Sequence, residues 1–552
     1  MWRGMETMPV AMGAHGEGLL GRVHQAVARE EREVEQATPE TCLGSLTGSP
    51  PLLGVPGSQT RRSGSVYCTR TEGVGGEAMT GPGLRAGTSA VALPVPLGTP
   101  MMGYGAREGV AEAEHDPLHA RALYLARSAS DLLWVQCDLC LIAPAQAAEL
   151  RRRIAARTGV DAERILVGCI HTHSGPETGI LELLTGNPPP AHVGPLFDAV
   201  VEAGAQAHAS AAPARLGVGH AEAAIGRNRR RSDGPLDRDL LLVRVDRAGG
   251  EPLALVYVHG CHPTALGHDN LSLSADWPAA AGAEIAAALP GVNPIFALGA
   301  HADVDPRSRG LLDLGIPGQS LGVSFEETEA LGRELGRAAG EAAAAIETHA
   351  DAEVGIAQAR LRIPVHPGVT DPARRKETLA GLRAEALAAL GVEDDPGYGT
   401  GDLYRLERER TAGLEVAERR ERVAKVRHYL RDHTAPRFAG GLEPEIEVQA
   451  LRLGPARLLA VPLEATVDVG LDWKRRMGSG DAAVLSIANG WLRYLPHPRN
   501  FAEPGAHRAY EIVMSSLVPD AATRLLDAGQ RLQAELGAGA PAAVRRAPGE
   551  AA

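Results

Sequence analysis

Short, nearly unbroken apolar runs alternate along most of this chain with stretches whose apolar residues recur at helical spacing. Leu132–Ile142, Arg164–Ile170, Asp239–Val245, Leu253–Val258 and Asn293–Leu298 read as buried strands. Between them Ala145–Thr158 has the helical period, with Pro144 at its start, where a missing N–H costs no hydrogen bond. Asp276–Leu289 and the Ala-rich Phe325–His349 have the same period. Farther on, Ile446–Leu453, Ala456–Val461 and Ala483–Ala488 read as strands, and Ala465–Met477 and Ala509–Leu536 as helices. We find no internal repeat. This alternation predicts an α/β fold of mixed, partly parallel sheets layered with helices.

Three stretches depart from it. Residues 1–78 are rich in Gly, Ser, Thr and Pro, with one helical patch near Arg22–Glu35, and read as a disordered leader or a misplaced start. Met79 opens a segment that reads as the start of a domain spanning 79–536. Asp371–His433 is highly charged and helical in period, apart from a Gly-Pro break at Asp394–Gly401, and predicts a helical surface insertion with solvated faces. The Ala/Pro-rich residues 537–552 read as a flexible tail.

Composition narrows the function. At 552 residues and 44% hydrophobic the chain has ample material for a large core. A net charge of −12 argues against a nucleic-acid partner, and the cluster Arg227–Arg231 is too short and isolated to reverse that. No run approaches the roughly 20 apolar residues of a membrane span. The N-terminus lacks the apolar core of a signal peptide, so the expectation is a cytoplasmic protein. Six cysteines in so long a chain do not make a disulfide framework; Cys137 and Cys140 read as buried strand cysteines.

The candidate chemistry sits where apolar strands end. ILVGCIHTHSGP carries a strand into His171-Thr172-His173. Residues two apart on a strand share a face, so the pair of imidazoles points one way. LALVYVHGCHP ends a second strand in His259 and His262, and NPIFALGAHADVDP a third in His301, Asp303 and Asp305. Three strands delivering His or Asp at their C-terminal ends favour a metal site over independent structural histidines. Catalytic zinc takes three protein ligands, often two His and a Glu. Glu464, directly after the apolar LLAVPL, is the candidate carboxylate, because burial without a cation or donors costs several kcal/mol; the alternative is a cap on the helix that follows. Tyr494 taken alone would be a packing residue. Asp138 could orient a ligand histidine or satisfy local backbone donors, and the residues alone leave both open.

HTHSGP, CHPTALGHDNLSLSADWP, ADVDPR and NGWLRYLP, in this order, resemble the neutral/alkaline non-lysosomal ceramidase family, from Met79 to about Leu536. The resemblance covers the catalytic domain, and the expectation is that the family's immunoglobulin-like C-terminal domain is absent. It implies a zinc-dependent amidohydrolase acting on ceramide or another N-acyl compound, a small-molecule or lipid partner, with oligomeric state open. A metal-dependent esterase of the same fold, or a non-catalytic metal binder, is the alternative. Carried over, the zinc ligands are His171, His262, Glu464 and Tyr494. The resemblance implies that His173 faces the substrate as proton shuttle or oxyanion partner, that Arg229 contacts the substrate, and that Tyr510 polarises its carbonyl. It gives His301 no fixed role. One position departs: Asp305 stands where the family has a serine proposed to act in catalysis, and a carboxylate does not donate the hydrogen bond a hydroxyl can. The implied chemistry is amide hydrolysis by zinc-activated water, with a nearby histidine protonating the leaving amine.

Overall fold

The computed structural model describes residues 83–538 apart from 105–106, 181–187, 310–321, 367–371, 396–397, 399, 412 and 440–441, and also 545–546. The expectations for residues 1–78 and for most of the tail fall outside the described residues.

Eight strands form the larger sheet: β1 (Arg85–Ala92), β2 (His119–Arg127), β3 (Ser130–Cys137), β4 (Ile165–Cys169), β5 (Ala212–Glu222), β6 (Asp239–Arg247), β7 (Pro252–His259) and β8 (Asn293–Leu298). Their order is β8-β7-β6-β5-β1-β2-β3-β4. The two outermost pairs, β7–β8 and β3–β4, are parallel and the inner ones antiparallel. Each parallel pair is joined through a helix, α1 (Pro144–Thr158) between β3 and β4 and α3 (Trp277–Ala288) between β7 and β8, as parallel strands require a crossover. Helix α2 (Val193–Ala209) precedes β5. The second sheet is built from β9 (Val354–Arg362), β10 (Glu445–Leu453), β11 (Ala456–Ala460) and β12 (Ala482–Leu485), with Arg545–Arg546 at its edge.

The sheets lie face to face. Val256, Ile295 and Trp134 from the larger sheet share one apolar core with Ile356, Leu451 and Leu458 from the smaller. The alternate residues Leu255, Tyr257 and Phe296 point the other way, into a core shared with α1, α2, α3 and α4 (Phe325–Ala344). The outer face of the second sheet is covered by α8 (Val467–Met477) and α10 (Ala521–Gly537) through Trp473, Leu525 and Leu459. Strands buried on both faces lose the polar alternation, which is why they read as continuous apolar runs.

Several boundaries differ from the sequence reading. The strand predicted over Leu132–Ile142 stops at Cys137, because the Asp138 carboxylate accepts hydrogen bonds from the His119 N–H at 2.8 Å and from Arg121 at 3.0 Å. Asp138 thus satisfies local donors. The helix predicted to run to His349 ends at Ala344, and His349 instead pairs through its backbone with Leu216 on β5. Gly217 permits this, since a Cβ there would fall 2.0 Å from the Glu347 carbonyl oxygen. The predicted Ala509–Leu536 helix is two, α9 (Tyr510–Met514) and α10. Pro519 between them lacks an N–H and disfavours the helical conformation of Val518. The charged insertion folds as α5 (Pro372–Leu390), α6 (Thr400–Thr411) and α7 (Val416–Ala439). Its faces are not wholly solvated: Leu387, Leu403, Val426 and Leu430 form a small core of their own. α7 also braces the chain around α9, where His428 meets the His507 carbonyl at 2.9 Å. β1, β2, β5, α2 and β9 went unpredicted; Ala, Gly and Arg dilute the apolar pattern in most of them.

His220 on β5 ties the sheets together, with its ring nitrogens 2.9 Å from Asp239 and 2.8 Å from Asp481. The Asp239 hydrogen bond, helped by Asp481 against burial, lifts its pKa to about 9. A raised folded pKa stabilises below the unfolded value and stops stabilising as pH rises through the folded one. His220→Gln should therefore lower the melting temperature at pH 6 and leave it unchanged near pH 10. The partly exposed pair keeps the difference to about 1 kcal/mol. Equal loss at both pH values would make the contribution one of packing.

Candidate metal centre

β4 and β8 are opposite edges of the larger sheet, yet their ends meet. The segment after β12 runs between them, with Ser486 N–H bonded to the Leu298 carbonyl at 2.9 Å and Cys169 N–H to the Ile487 carbonyl at 3.2 Å. Ile487 N–H in turn bonds the Leu463 carbonyl at 3.2 Å, which brings the Glu464 strand end alongside. Glu464–Ala465 then pairs in parallel with Tyr494–Leu495. Four strand ends thus converge on one buried point.

There, ligand atoms of His171, His262, His301 and Glu464 all lie within 4.8 Å of one another. Each imidazole is fixed in the same sense: Nδ1 faces a backbone carbonyl, Cys140 for His171 (2.9 Å), Val304 for His262 (3.2 Å) and Gly299 for His301 (3.0 Å). A carbonyl only accepts, so each Nδ1 carries a proton and Nε2 is the nitrogen turned to the cluster. The three Nε2 atoms stand 3.5, 3.4 and 3.6 Å from Glu464 Oε2. Glu464 Oε1 accepts from the Trp491 indole at 2.8 Å, which aims Oε2 at the imidazoles. All four side chains are at most 4% exposed. Glu464 Oε2 and His301 Nε2 have no hydrogen-bond partner. Buried Nε2 and carboxylate atoms aimed at one point, with outer hydrogen bonds orienting each ring, could hold a metal ion. His171 sits at φ 71, outside ordinary backbone for a non-glycine residue, and that strain is held by the surrounding strand ends.

Burial alone would raise the Glu464 carboxyl, but the charge of His171 and the imidazoles around it hold it well below the usual range. Burial lowers His262 to about 3, with His301 adding to the effect. Burial likewise depresses His301 and His173, so these rings are neutral at physiological pH. His171 goes the other way: burial opposes its charge, but Cys140 and Glu464 push its pKa well up.

The remaining expected residues gather around this cluster. His173 Nε2 lies 3.2 Å from His171 Nε2, and a Cβ on Gly103, at φ 111, would fall 2.4 Å from the His173 ring. Tyr494 is held beside Glu464 by the strand pairing, and its ring meets that of Tyr510 edge-on at 5.5 Å. Arg229 covers Tyr510 with its guanidinium carbon 5.5 Å from the ring centroid. Arg229 is committed elsewhere too, bonded to Glu511 at 2.7 Å and Asp305 at 3.2 Å. Asp305 is fully buried, 3.9 Å from His262 Nδ1. Burial would raise its pKa, but Arg229 and then Arg309 lower it, so it is an ionised acceptor.

His301 is the residue the sequence reading left without a role. Its signal was present, a histidine following a buried strand in the manner of His171 and His262. What was missing was the knowledge that β8 and β4 curl together. His259, by contrast, is buried away from the cluster, with Nδ1 3.3 Å from the Asp239 carbonyl. Arg230, in the basic run, is buried against Asp303 at 2.9 Å.

The chain is similar to known proteins in sequence and in fold. No protein-family model matches the chain. A neutral ceramidase of Mycobacterium tuberculosis is 23% identical over 457 residues, 73% of this chain and 70% of that protein. Neutral ceramidase A of Dictyostelium discoideum is 24% identical over 245 residues, 38% of this chain and 34% of that protein. The crystal structure of neutral ceramidase from Pseudomonas aeruginosa shares the fold with a TM-score of 0.60 at 19% identity, over 85% of this chain and 77% of that one. Among the described residues no helix is long and apolar enough to cross a membrane. The ordered motifs, these sequence relatives and the shared fold together support the neutral ceramidase family for this chain.

Proposed function

We propose that the protein is a zinc-dependent amidohydrolase that cleaves the amide bond of ceramide or a related N-acyl substrate with activated water. The observation that carries this reading is the buried convergence of His171, His262, His301 and Glu464, each imidazole presenting Nε2. A divalent ion held there supplies the acidity that makes water a nucleophile at neutral pH. Tyr494 stands beside the set as a further candidate ligand.

The protein's own residues supply the rest. His173, neutral and next to His171, takes the proton released by the attacking water and returns it to the leaving nitrogen. Tyr510, on the Arg229 side, donates its phenol proton towards the substrate carbonyl oxygen, where negative charge develops. Asp305, ionised between two arginines, accepts hydrogen bonds and does not donate them.

The test is a panel of N-acyl amides, including ceramides, with matching esters, assayed before and after chelation. Amide turnover that chelation abolishes and zinc restores is the expected result. Protein that contains no metal after growth with zinc, and takes none up, would sink this mechanism. Turnover confined to esters would make the enzyme a metal-dependent esterase.

A further inference from the structure

Arg309 lies a few residues beyond His301 and Asp305, and its side chain is 3% exposed. Its guanidinium carbon stands 5.3 Å from the centroid of the Tyr104 ring, and that ring meets the His173 ring edge-on at 4.7 Å. Arg309 is therefore on the His173 side of the metal cluster.

The other buried cations around the site are answered. Arg229 is bonded by Glu511 and Asp305. Arg230 is paired with Asp303 and Glu503. Arg107 donates to the carbonyls of Asn270, Met102, His173 and Gly267. Arg309 differs. Among the described residues the nearest carboxylate oxygen is Asp305 Oδ1 at 3.9 Å, and that oxygen already faces Arg229 at 3.2 Å. Among the described residues its side chain makes no hydrogen bond, and its Nε is buried without a partner. Asp305 Oδ2 and Arg229 Nη2, next to it, are also buried and unpartnered. A buried guanidinium whose one close carboxylate contact is long and shared with Arg229 is under-satisfied, and a planar guanidinium is suited to a carboxylate held by two parallel hydrogen bonds. The two unpartnered guanidinium nitrogens, Arg309 Nε and Arg229 Nη2, suit an anionic oxygen better than an alkyl chain.

We propose that Arg309 anchors a carboxylate on the substrate, so that the preferred substrates are N-acyl compounds with a carboxylate close to the scissile amide, such as N-acyl amino acids. This rests on the amide-hydrolysis reading above. The carboxylate belongs either to the leaving amine or to the acyl group; both use the same chemistry.

The test compares three amides of equal length: an N-acylglycine, its neutral N-acyl-alkylamine counterpart, and a dicarboxylic monoamide with the charge on the acyl side. For each, kcat and KM are measured, together with calorimetric binding to the full chain, metal-loaded and again after chelation. Wild type, Arg309→Met and Arg309→Lys are used, with near-ultraviolet circular dichroism as the check on folding. In wild type one of the two acids should be preferred over the neutral amide by at least about tenfold, and which one identifies the side that carries the charge. Arg309→Met should cut the acid-to-neutral ratio of kcat/KM by about tenfold to a hundredfold, mainly through KM, and Arg309→Lys should retain part of it. Binding after chelation excludes a carboxylate held only by the ion. If the acid binds but no amide turns over, the amidase reading fails and the anchor stands. A wild type that binds neither acid better than the neutral amide overturns the anchor. So does a preference that survives in Arg309→Met. A fall in kcat that is equal for acid and neutral amides also overturns it, because Arg309 would then act on the transition state of every amide.

Discussion

Glu464→Gln yields a folded protein that no longer retains divalent metal. Among the described residues the Glu464 carboxylate is the only anion that faces all three imidazoles, whose Nε2 atoms stand 3.4 to 3.6 Å away. The amide oxygen of the variant can still accept from Trp491, but its NH2 then faces lone pairs and offers a cation nothing. Loss of an outer partner of a metal ligand weakens binding about tenfold to a hundredfold, and loss of the only charged ligand should exceed that. Plasma mass spectrometry after dialysis against buffered zinc reads the occupancy, and circular dichroism reads the fold. Two further variants separate the possible fourth ligands. His301→Ala should lose metal if the three-imidazole set holds the ion, and Tyr494→Phe should then keep it. The reverse outcome would return the fourth position to Tyr494 and leave His301 a buried neighbour. Loading should also weaken as pH falls, because the His171 proton, favoured by Cys140 and Glu464, must leave before Nε2 can bind a metal. Occupancy that does not change with pH would count against His171 as a ligand.

Arg229→Leu should destabilise the protein by about 3–5 kcal/mol, the usual consequence of breaking a buried ion pair from one side. Arg229 is 6% exposed and holds two carboxylates, Glu511 at 2.7 Å and Asp305 at 3.2 Å. Without it, both are left in a low-dielectric interior, Asp305 with Arg309 as its remaining cation at 3.9 Å. The urea midpoint at neutral pH should fall with little change in slope. The direction with pH follows from the Asp305 shift. Its folded pKa is depressed, against burial, by Arg229 and Arg309, so its contribution is present above the unfolded value and lost as pH falls through the folded one. The deficit of the variant should therefore be largest near neutrality and narrow below about pH 4, as the orphaned carboxylates take up protons. A deficit of the same size at both ends would mean that Arg229 contributes packing rather than charge. Either result bears on its expected part in substrate contact, because a guanidinium committed to two carboxylates has only Nη2 left to offer.

The sequence by itself determined the elements whose chemistry is local. β4, β7 and β8 are apolar on both faces because helices cover one side of the sheet and a second sheet the other, so each run announced itself as a strand. The histidines were legible because each follows such a run directly, and Glu464 because a carboxylate there needs a cation or donors. Strands with a more mixed pattern, β1 (RAGTSAVA) and β5 (APARLGVGHAE), were invisible, since their small and polar residues are accommodated only by the particular neighbours they meet. Tertiary structure decided what no linear pattern holds. The sheet curls until its opposite edges, β4 and β8, are bridged by the segment after β12, and only then does His301 face His171 and His262 across Glu464. It also decided that Asp138 serves its own strand and that Arg229 is held by Asp305 and Glu511. Among the described residues it left the Arg309 side chain buried without a hydrogen bond and sharing Asp305 with Arg229, because burial and pairing depend on which distant segments arrive, and the spacing of residues along the chain does not specify that.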